Sequence, residues 1–333
     1  MATLSTRLTR DFSLQTPIVL APMALASGAA LAVSCAKAGA LGLIGGGYGD
    51  PTWIAEQYTE AFAPQNQSLF HRLGIGFITW KLEQDASALD WVLDREHKPA
   101  AIMLSFGNAL PFAERINQAN IPLICQIQRL EQVPQAIEAG ARLLVAQGGE
   151  AGGHGMSSAW ARSTITLVPE VADWLANHSP DTRLLAAGGI ADGRGLAASL
   201  MLGADGVLIG SRLWATQECL APEGAKQASV KANGDDTARS SVFDILRRIE
   251  WPAPYDFRAL RNPLHRQWEH QVETLRRNPV QAQADYDEGV KEQDYRRAHV
   301  TVGEATGLIE DVPSAADLIA RITEQAIDRL HQR

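Results

Sequence analysis

The stretch Leu143-Leu-Val-Ala-Gln-Gly-Gly-Glu-Ala-Gly-Gly-His-Gly155 begins as an apolar strand and opens into a glycine-rich loop around one titratable ring, His154. An apolar run without polar alternation reads as a strand buried on both faces, which belongs in a parallel sheet covered by helices. Glycines at 148, 149, 152, 153 and 155 strip the loop of side chains, so a flat ligand can approach the backbone closely. Imidazole has the unperturbed pKa nearest neutrality, which suits proton transfer. A histidine taken at random is a surface or packing residue, and a glycine run is only a loop. What favours chemistry here is the strand-end position, provided the fold gathers its chemistry at strand ends.

Outward from that stretch the same unit recurs. Ile18-Val-Leu-Ala-Pro-Met23 is a strand ending in proline, after which Ser27 is expected to cap a helix running to about Ala38. Further apolar runs lie at Leu41–Gly47, Leu73–Thr79, Ala101–Gly107, Pro122–Gln128, Arg183–Ile190 and Gly206–Gly210, each but the last followed by a helical pattern. Eight such units within about 200 residues predict a closed α/β barrel, the (β/α)8 or TIM-barrel fold, rather than an open sheet. The active site of such a barrel lies at the carboxyl ends of its strands. Residues 1–214 are therefore read as the barrel. Residues 215–300 read as helical, charged and tryptophan-punctuated, with no further β run, and a last helix begins at Pro313-Ser314. Residues 215–333 are expected to form a smaller helical domain covering the barrel mouth, and a homodimer built on it is left open.

The 333 residues are 46% hydrophobic and 20% charged, the balance of a globular chain. A net charge of −8 argues against a nucleic-acid partner, which needs a clustered basic face. Cys35, Cys125 and Cys219 are widely spaced, which suggests a reducing compartment, the cytoplasm, and no disulfide framework. Ile18–Ala36 lacks charge, but Pro22, Gly28 and its alanine-rich character read as strand plus helix rather than membrane span or signal peptide. No histidine pair, carboxylate pair or cysteine cluster suggests a metal. No G-x-G-x-x-G opens the chain and no G-x-S-x-G elbow is present.

The most informative pair is Ala186-Ala-Gly-Gly-Ile-Ala-Asp-Gly193 with Ala204-Asp-Gly-Val-Leu-Ile-Gly-Ser211. Bare N–H groups at the ends of the seventh and eighth strands, each beside a helix start, form an anion site for a phosphate, and Ser211 adds a hydroxyl. A flavin mononucleotide, a sugar phosphate or a nucleotide would each fit; the plainer reading is that these glycines let helices pack close. Gln147 and Gln126 present carboxamides that match the edge of a flavin pyrimidine ring, or are satisfied core amides. Glu150 reads as a turn cap or ion-pair partner, and Lys81, Arg162, Arg194 and Arg212 as salt-bridge residues.

With these residues in view, the chain resembles the nitronate monooxygenase family, FMN-dependent barrels related to the flavin-type enoyl-acyl-carrier-protein reductases. The resemblance rests on Ala21-Pro-Met23, Gln-Gly-x-Glu-Ala-Gly-Gly-His-Gly at 147–155, Ala-Ala-Gly-Gly-Ile at 186–190, Ile-Gly-Ser-Arg at 209–212 and Gly303–Ile309. It implies FMN as cofactor and an alkyl nitronate with O2 as reactants. It also implies that Ala21, Pro22 and Met23 back the flavin ring, and that Gln126, Gln147, Gly152 and Gly153 contact it. Gly188, Gly189, Leu208, Ile209, Gly210 and Ser211 would hold the phosphate, and His154 would be the catalytic acid/base. One departure stands out: many members carry asparagine at the end of the third strand, where this chain has Gly76 or Phe77. The alternatives are an NAD(P)H-dependent FMN reductase of quinones or enoyl thioesters, and a non-redox phosphate-binding barrel lyase or isomerase.

Overall fold

A computed structural model describes residues 3–331. Eleven strands are β1 (Ile18–Leu20), β2 (Gly42–Gly47), β3 (Leu73–Ile78), β4 (Ile102–Ser105), β5 (Leu123–Ile127), β6 (Leu143–Gln147), β7 (Gly153–Met156), β8 (Arg183–Ala187), β9 (Gly206–Ile209), β10 (Thr237–Ser240) and β11 (Tyr255–Leu260). Eight of them form one parallel sheet in the order β1-β9-β8-β6-β5-β4-β3-β2. The two ends meet at Val19 and Leu41, where Leu20 N donates to Leu41 O at 2.8 Å and Leu41 N to Ile18 O at 3.1 Å. The sheet is thus closed, as the eight apolar runs predict.

Alternation along each strand divides the barrel into two layers. Val19, Leu43, Met103, Ile124, Val145, Leu185 and Leu208 point into the barrel and pack together. Their neighbours Ile18, Leu20, Ile44, Leu144, Ala146 and Ala186 face the helices. The same period sends Gln126 and Gln147, two residues after Ile124 and Val145, to the inward side at the carboxyl end. The opposite end is stoppered by the helix Arg7–Asp11, whose capping residue is Thr6. Its Leu8 is fully buried among the inward-facing residues, and Arg7 pairs with Asp205 at 2.7 Å.

Two expectations are corrected here. Ser27 does not cap the following helix Ala29–Lys37, whose N-cap is Gly28. The Ser27 hydroxyl accepts from Met23 N at 2.7 Å instead, and so shapes the turn after β1. Residues 215–300 are not purely helical: β10 and β11 form an antiparallel sheet with β7, the second half of the histidine loop. In β11, Phe257 and Ala259 are buried between the charged residues Asp256, Arg258 and the half-buried ends. That is a two-residue period, but it is short and heavily charged, and β7 is half glycine. Their pairing is written in backbone hydrogen bonds, which composition does not display.

The final helix Ala315–His331 returns to the barrel wall. It packs against the helices Gly193–Met201 and Ala29–Lys37 through Leu318, Ile319, Ile322 and Ala326. A Cβ at Gly193 would stand 2.4 Å from Ala326 N, so the close approach requires glycine there. The chain after β9 therefore makes a long excursion over the mouth before supplying the last outer helix.

Truncating the stopper tests how much it holds. Leu8→Ala should cost about 2–5 kcal/mol, as for other fully buried leucines. A lower urea midpoint at unchanged slope would show it, and an unchanged midpoint would mean that the barrel floor collapses around the gap.

Candidate active site

A cavity occupies the carboxyl-terminal mouth of the barrel. Its wall contains nearly every residue singled out from sequence: Ala21, Pro22 and Met23 from the end of β1, Gln126, Gln147, Gly152, Gly153 and His154, then Gly188, Gly189, Leu208, Gly210 and Ser211. Ile209 is the exception. Strand alternation turns its side chain outward into the helix-facing core, where it is 1% exposed.

The glycine turn after β8 and the start of the turn after β9 fit a phosphate. Gly188 and Gly189 adopt φ of +103° and +74°, a backbone that side-chain-bearing residues rarely tolerate. No acceptor among the described residues takes the N–H of Gly189, Gly210 or Ser211. At Gly210 a Cβ would find only ordinary contacts with Ala21 and Met23, at 3.7 and 3.9 Å, and Gly189, Gly210 and Ser211 all border the cavity. The Ser211 hydroxyl accepts from Gly303 N at 2.9 Å and keeps its own proton to donate.

Gln147 is held more fully than a ligand contact needs. Its Oε1 accepts from Gln126 Nε2 at 3.1 Å and Gln128 Nε2 at 3.0 Å, and its Nε2 donates to His154 O at 3.2 Å. The carboxamide oxygen of Gln126, a residue of the cavity wall, receives no donor among the described residues. Glu150 caps the turn, as its plainer reading has it: the carboxylate accepts from Ser163 Oγ, Thr164 N and Thr164 Oγ1 at 2.9–3.1 Å. Arg162, Arg194 and Arg212 pair with Glu170, Asp192 and Asp311, and Lys81 lies over the Trp80 ring.

Gly76 explains the departure at the third strand. A Cβ there would stand 2.4 Å from Pro22 Cγ. Glycine at this position lets the Pro22 ring pack against β3, and an asparagine would displace it.

His154 is set among partners that its own neighbourhood in sequence does not contain. On β7 it lies opposite Phe257 of β11, and its Nε2 is 2.9 Å from Asp244 Oδ1, ninety positions away. Trp251 stacks on the imidazole with ring centroids 3.4 Å apart at 12°. Both members of the Asp244–His154 pair are buried. With Nε2 directed at the carboxylate, Nδ1 is left without a partner among the described residues. Burial pushes the imidazole down to about 4; the hydrogen bond and charge of Asp244 oppose this, and Arg247 and Arg239 add to it. His299, also in the cavity wall, is pushed to about 3 by burial, Arg247 and His154. At neutral pH both rings are uncharged. The glycine loop itself is pinned by Arg239, which donates to Ala151 O and Asp256 O at 2.8 and 2.9 Å. Asp244, Arg239, Gln128 and His299 escaped the sequence reading. Trp251 belongs to the stretch read as tryptophan-punctuated, and it borders the cavity.

Fold and cavity together define a barrel enzyme whose chemistry sits at the strand carboxyl ends. The sequence model of the family described as nitronate monooxygenase matches residues 54–325. The chain is 33% identical to nitronate monooxygenase npaC of Metarhizium robertsii, over 94% of this chain and 91% of that one. It is 29% identical to nitronate monooxygenase of Neurospora crassa, over 94% and 89%. Among solved structures, FabK from Thermotoga maritima superposes with a TM-score of 0.81 at 26% identity, covering 99% of this chain and 98% of that one. The chain belongs to the nitronate monooxygenase family and is an oxidoreductase of the flavin type.

The two depressed histidines carry a pH signature. Unfolded, each takes up a proton as the pH falls through about 6.5, whereas the folded protein resists until about 4 for His154 and about 3 for His299. Their contribution to stability is therefore complete above about 6.5 and is lost as the pH falls below it. His299→Gln should flatten the acid limb of stability against pH in urea melts. A limb as steep as in the parent protein would remove His299 from the account.

Proposed function

We propose that this chain is an FMN-dependent monooxygenase that oxidises alkyl nitronates with O2, with His154 as its acid/base. The carrying observation is the imidazole held by Asp244 at 2.9 Å in the wall of the same cavity that contains the bare glycine cradle. The open N–H groups of Gly189, Gly210 and Ser211 would hold the cofactor phosphate, and Gln126 would meet the ring edge. Bound flavin supplies the two-electron chemistry, while the protein orients it and sets the local electrostatics.

Asp244 fixes the orientation of the imidazole and steadies any positive charge it acquires, so that Nδ1 faces the substrate as the working atom. An imidazole depressed to about 4 is unprotonated at neutral pH but weakly basic. Such a base draws a proton from carbon slowly, which favours substrate that arrives already as the nitronate. Trp251, Phe257 and Phe106 surround the ring and exclude water from it.

The described residues include no helix long and apolar enough to cross a membrane. Cys35, Cys125 and Cys219 are buried and unpaired, which suits the reducing cytoplasm that this proposal includes.

Two measurements test the reading. Purified protein should carry an FMN spectrum that bleaches on anaerobic addition of a nitronate; bleaching by NADH with no nitronate turnover would favour a flavin reductase instead. His154→Asn should lower turnover of neutral nitroalkanes by about 10²-fold, the low end of the span for a lost general base because the imidazole is weakly basic, and that of pre-formed nitronates far less. Equal losses on both would remove the base role.

A further inference from the structure

The arginines near the mouth fall into two kinds. Arg239 and Arg212 are each held by several acceptors: Arg239 by the carbonyls of Ala151 and Asp256 and the Asp256 carboxylate, with its Nε alone left buried without one, and Arg212 by Ala215 O, Asp311 O and the Asp311 carboxylate. Arg247 is the other kind. It ends the short helix Val242–Leu246, and its guanidinium lies 5.1 Å from the centre of the Phe257 ring. Its Nη1 is buried with no hydrogen-bond partner among the described residues. The nearest carboxylate oxygen, Asp244 Oδ1, is 3.8 Å away and already engaged by His154. A buried charged donor without an acceptor is costly and demands an explanation.

The cavity wall narrows the choice of acceptor. Arg247 is the one arginine or lysine in that wall among the described residues, and Glu150 the one carboxylate, spent on Ser163 and Thr164. His154 and His299 flank the same Phe257 ring and bring no charge of their own. The phosphate cradle has its own donors at the ends of β8 and β9, whereas Arg247 stands on the excursion that carries β11 and Asp244 against His154. A guanidinium offers two parallel N–H groups, matched to a group with two oxygens sharing one negative charge.

We infer that Arg247 is the substrate anchor of this cavity, its guanidinium taking the two-oxygen anionic head of the substrate beside His154. This rests on the function proposed above in so far as that head is a nitronate group. The anchor selects for charged over neutral substrates and places the atom next to the head within reach of the imidazole. The competing account is that Arg247 serves Asp244, whose Oδ2 is also buried without a partner, and touches no ligand.

The test uses the flavin-loaded enzyme with Arg247→Met and Arg247→Lys, and nitrate as an unreactive planar anion. Calorimetry should show nitrate binding to the parent protein and a loss on the order of 10- to 100-fold in Arg247→Met, the worth of a charge-assisted hydrogen bond. KM for a nitronate should rise by a similar factor in Arg247→Met, with Arg247→Lys recovering part of it and kcat at saturation moving much less. Nitrate affinity and KM unchanged in Arg247→Met, with a shifted pH profile, would overturn the inference in favour of service to Asp244. Loss of flavin retention in both variants would overturn it in favour of a cofactor contact. Parent enzyme that binds nitrate through Arg247 yet turns over no nitronate would sink the proposed function and leave the anchor standing.

Discussion

The site depends on one piece of strand pairing, that of Gly153–Met156 with Tyr255–Leu260. A backbone of glycines cannot hold a shape by itself: it has the most conformational freedom to lose and no side chains to pack. Here the freedom is removed from outside. The antiparallel register sets His154 opposite Phe257 and Gly155 opposite Asp256. Arg239 and Arg258 then occupy loop carbonyls, those of Ala151 and Gly149. The outcome is an imidazole on a fixed mount at the edge of a cavity whose floor is rigid barrel. The barrel supplies the position along the rim, and the excursion after β9 supplies the mount.

The same mount decides the electrostatics. Bringing β11 and the Val242–Leu246 helix over the mouth desolvates His154 and places Asp244, Arg247 and His299 around it. In such a setting charge–charge interactions are much stronger than in water, and uncharged imidazoles are favoured over charged ones. One arginine is left as the positive feature of the wall, beside a carboxylate that is committed to the histidine. A cavity of that character suits an anion that delivers electrons to a planar cofactor, and it is poorly suited to stabilising a free cation.

Family membership does not by itself carry a substrate, because one barrel hosts many chemistries. The contact between Gly76 and Pro22 shows where this chain has its own geometry. With no side chain at Gly76, the Pro22 ring packs against β3, and the wall is apolar at the position where the family resemblance implies asparagine. Phe77, the next residue of the strand, is buried in the helix-facing core and also borders the cavity. Selectivity then falls to groups on the other side of the cavity, on the excursion rather than on the barrel.

The barrel was legible in the chain because its strands are buried on both faces, and burial on both faces leaves uninterrupted apolar runs such as Leu143-Leu-Val-Ala146. The strand-end glycines and His154 were legible for a related reason: a backbone that must approach a ligand has to shed its side chains, and glycine records this locally. Gln147 and Gln126 stood out by their places on the sixth and fifth strands and by the paired donor and acceptor of a carboxamide. What tertiary structure alone decided lies in contacts between distant segments. Asp244 meets His154 across ninety positions, and Arg247 and His299 reach the cavity from the far side of a fold-over whose strands are too short and too charged to announce themselves. A carboxylate or a guanidinium looks the same in sequence whether water or an imidazole surrounds it. Only the burial imposed by the closed mouth turns these ordinary charged residues into parts of a site.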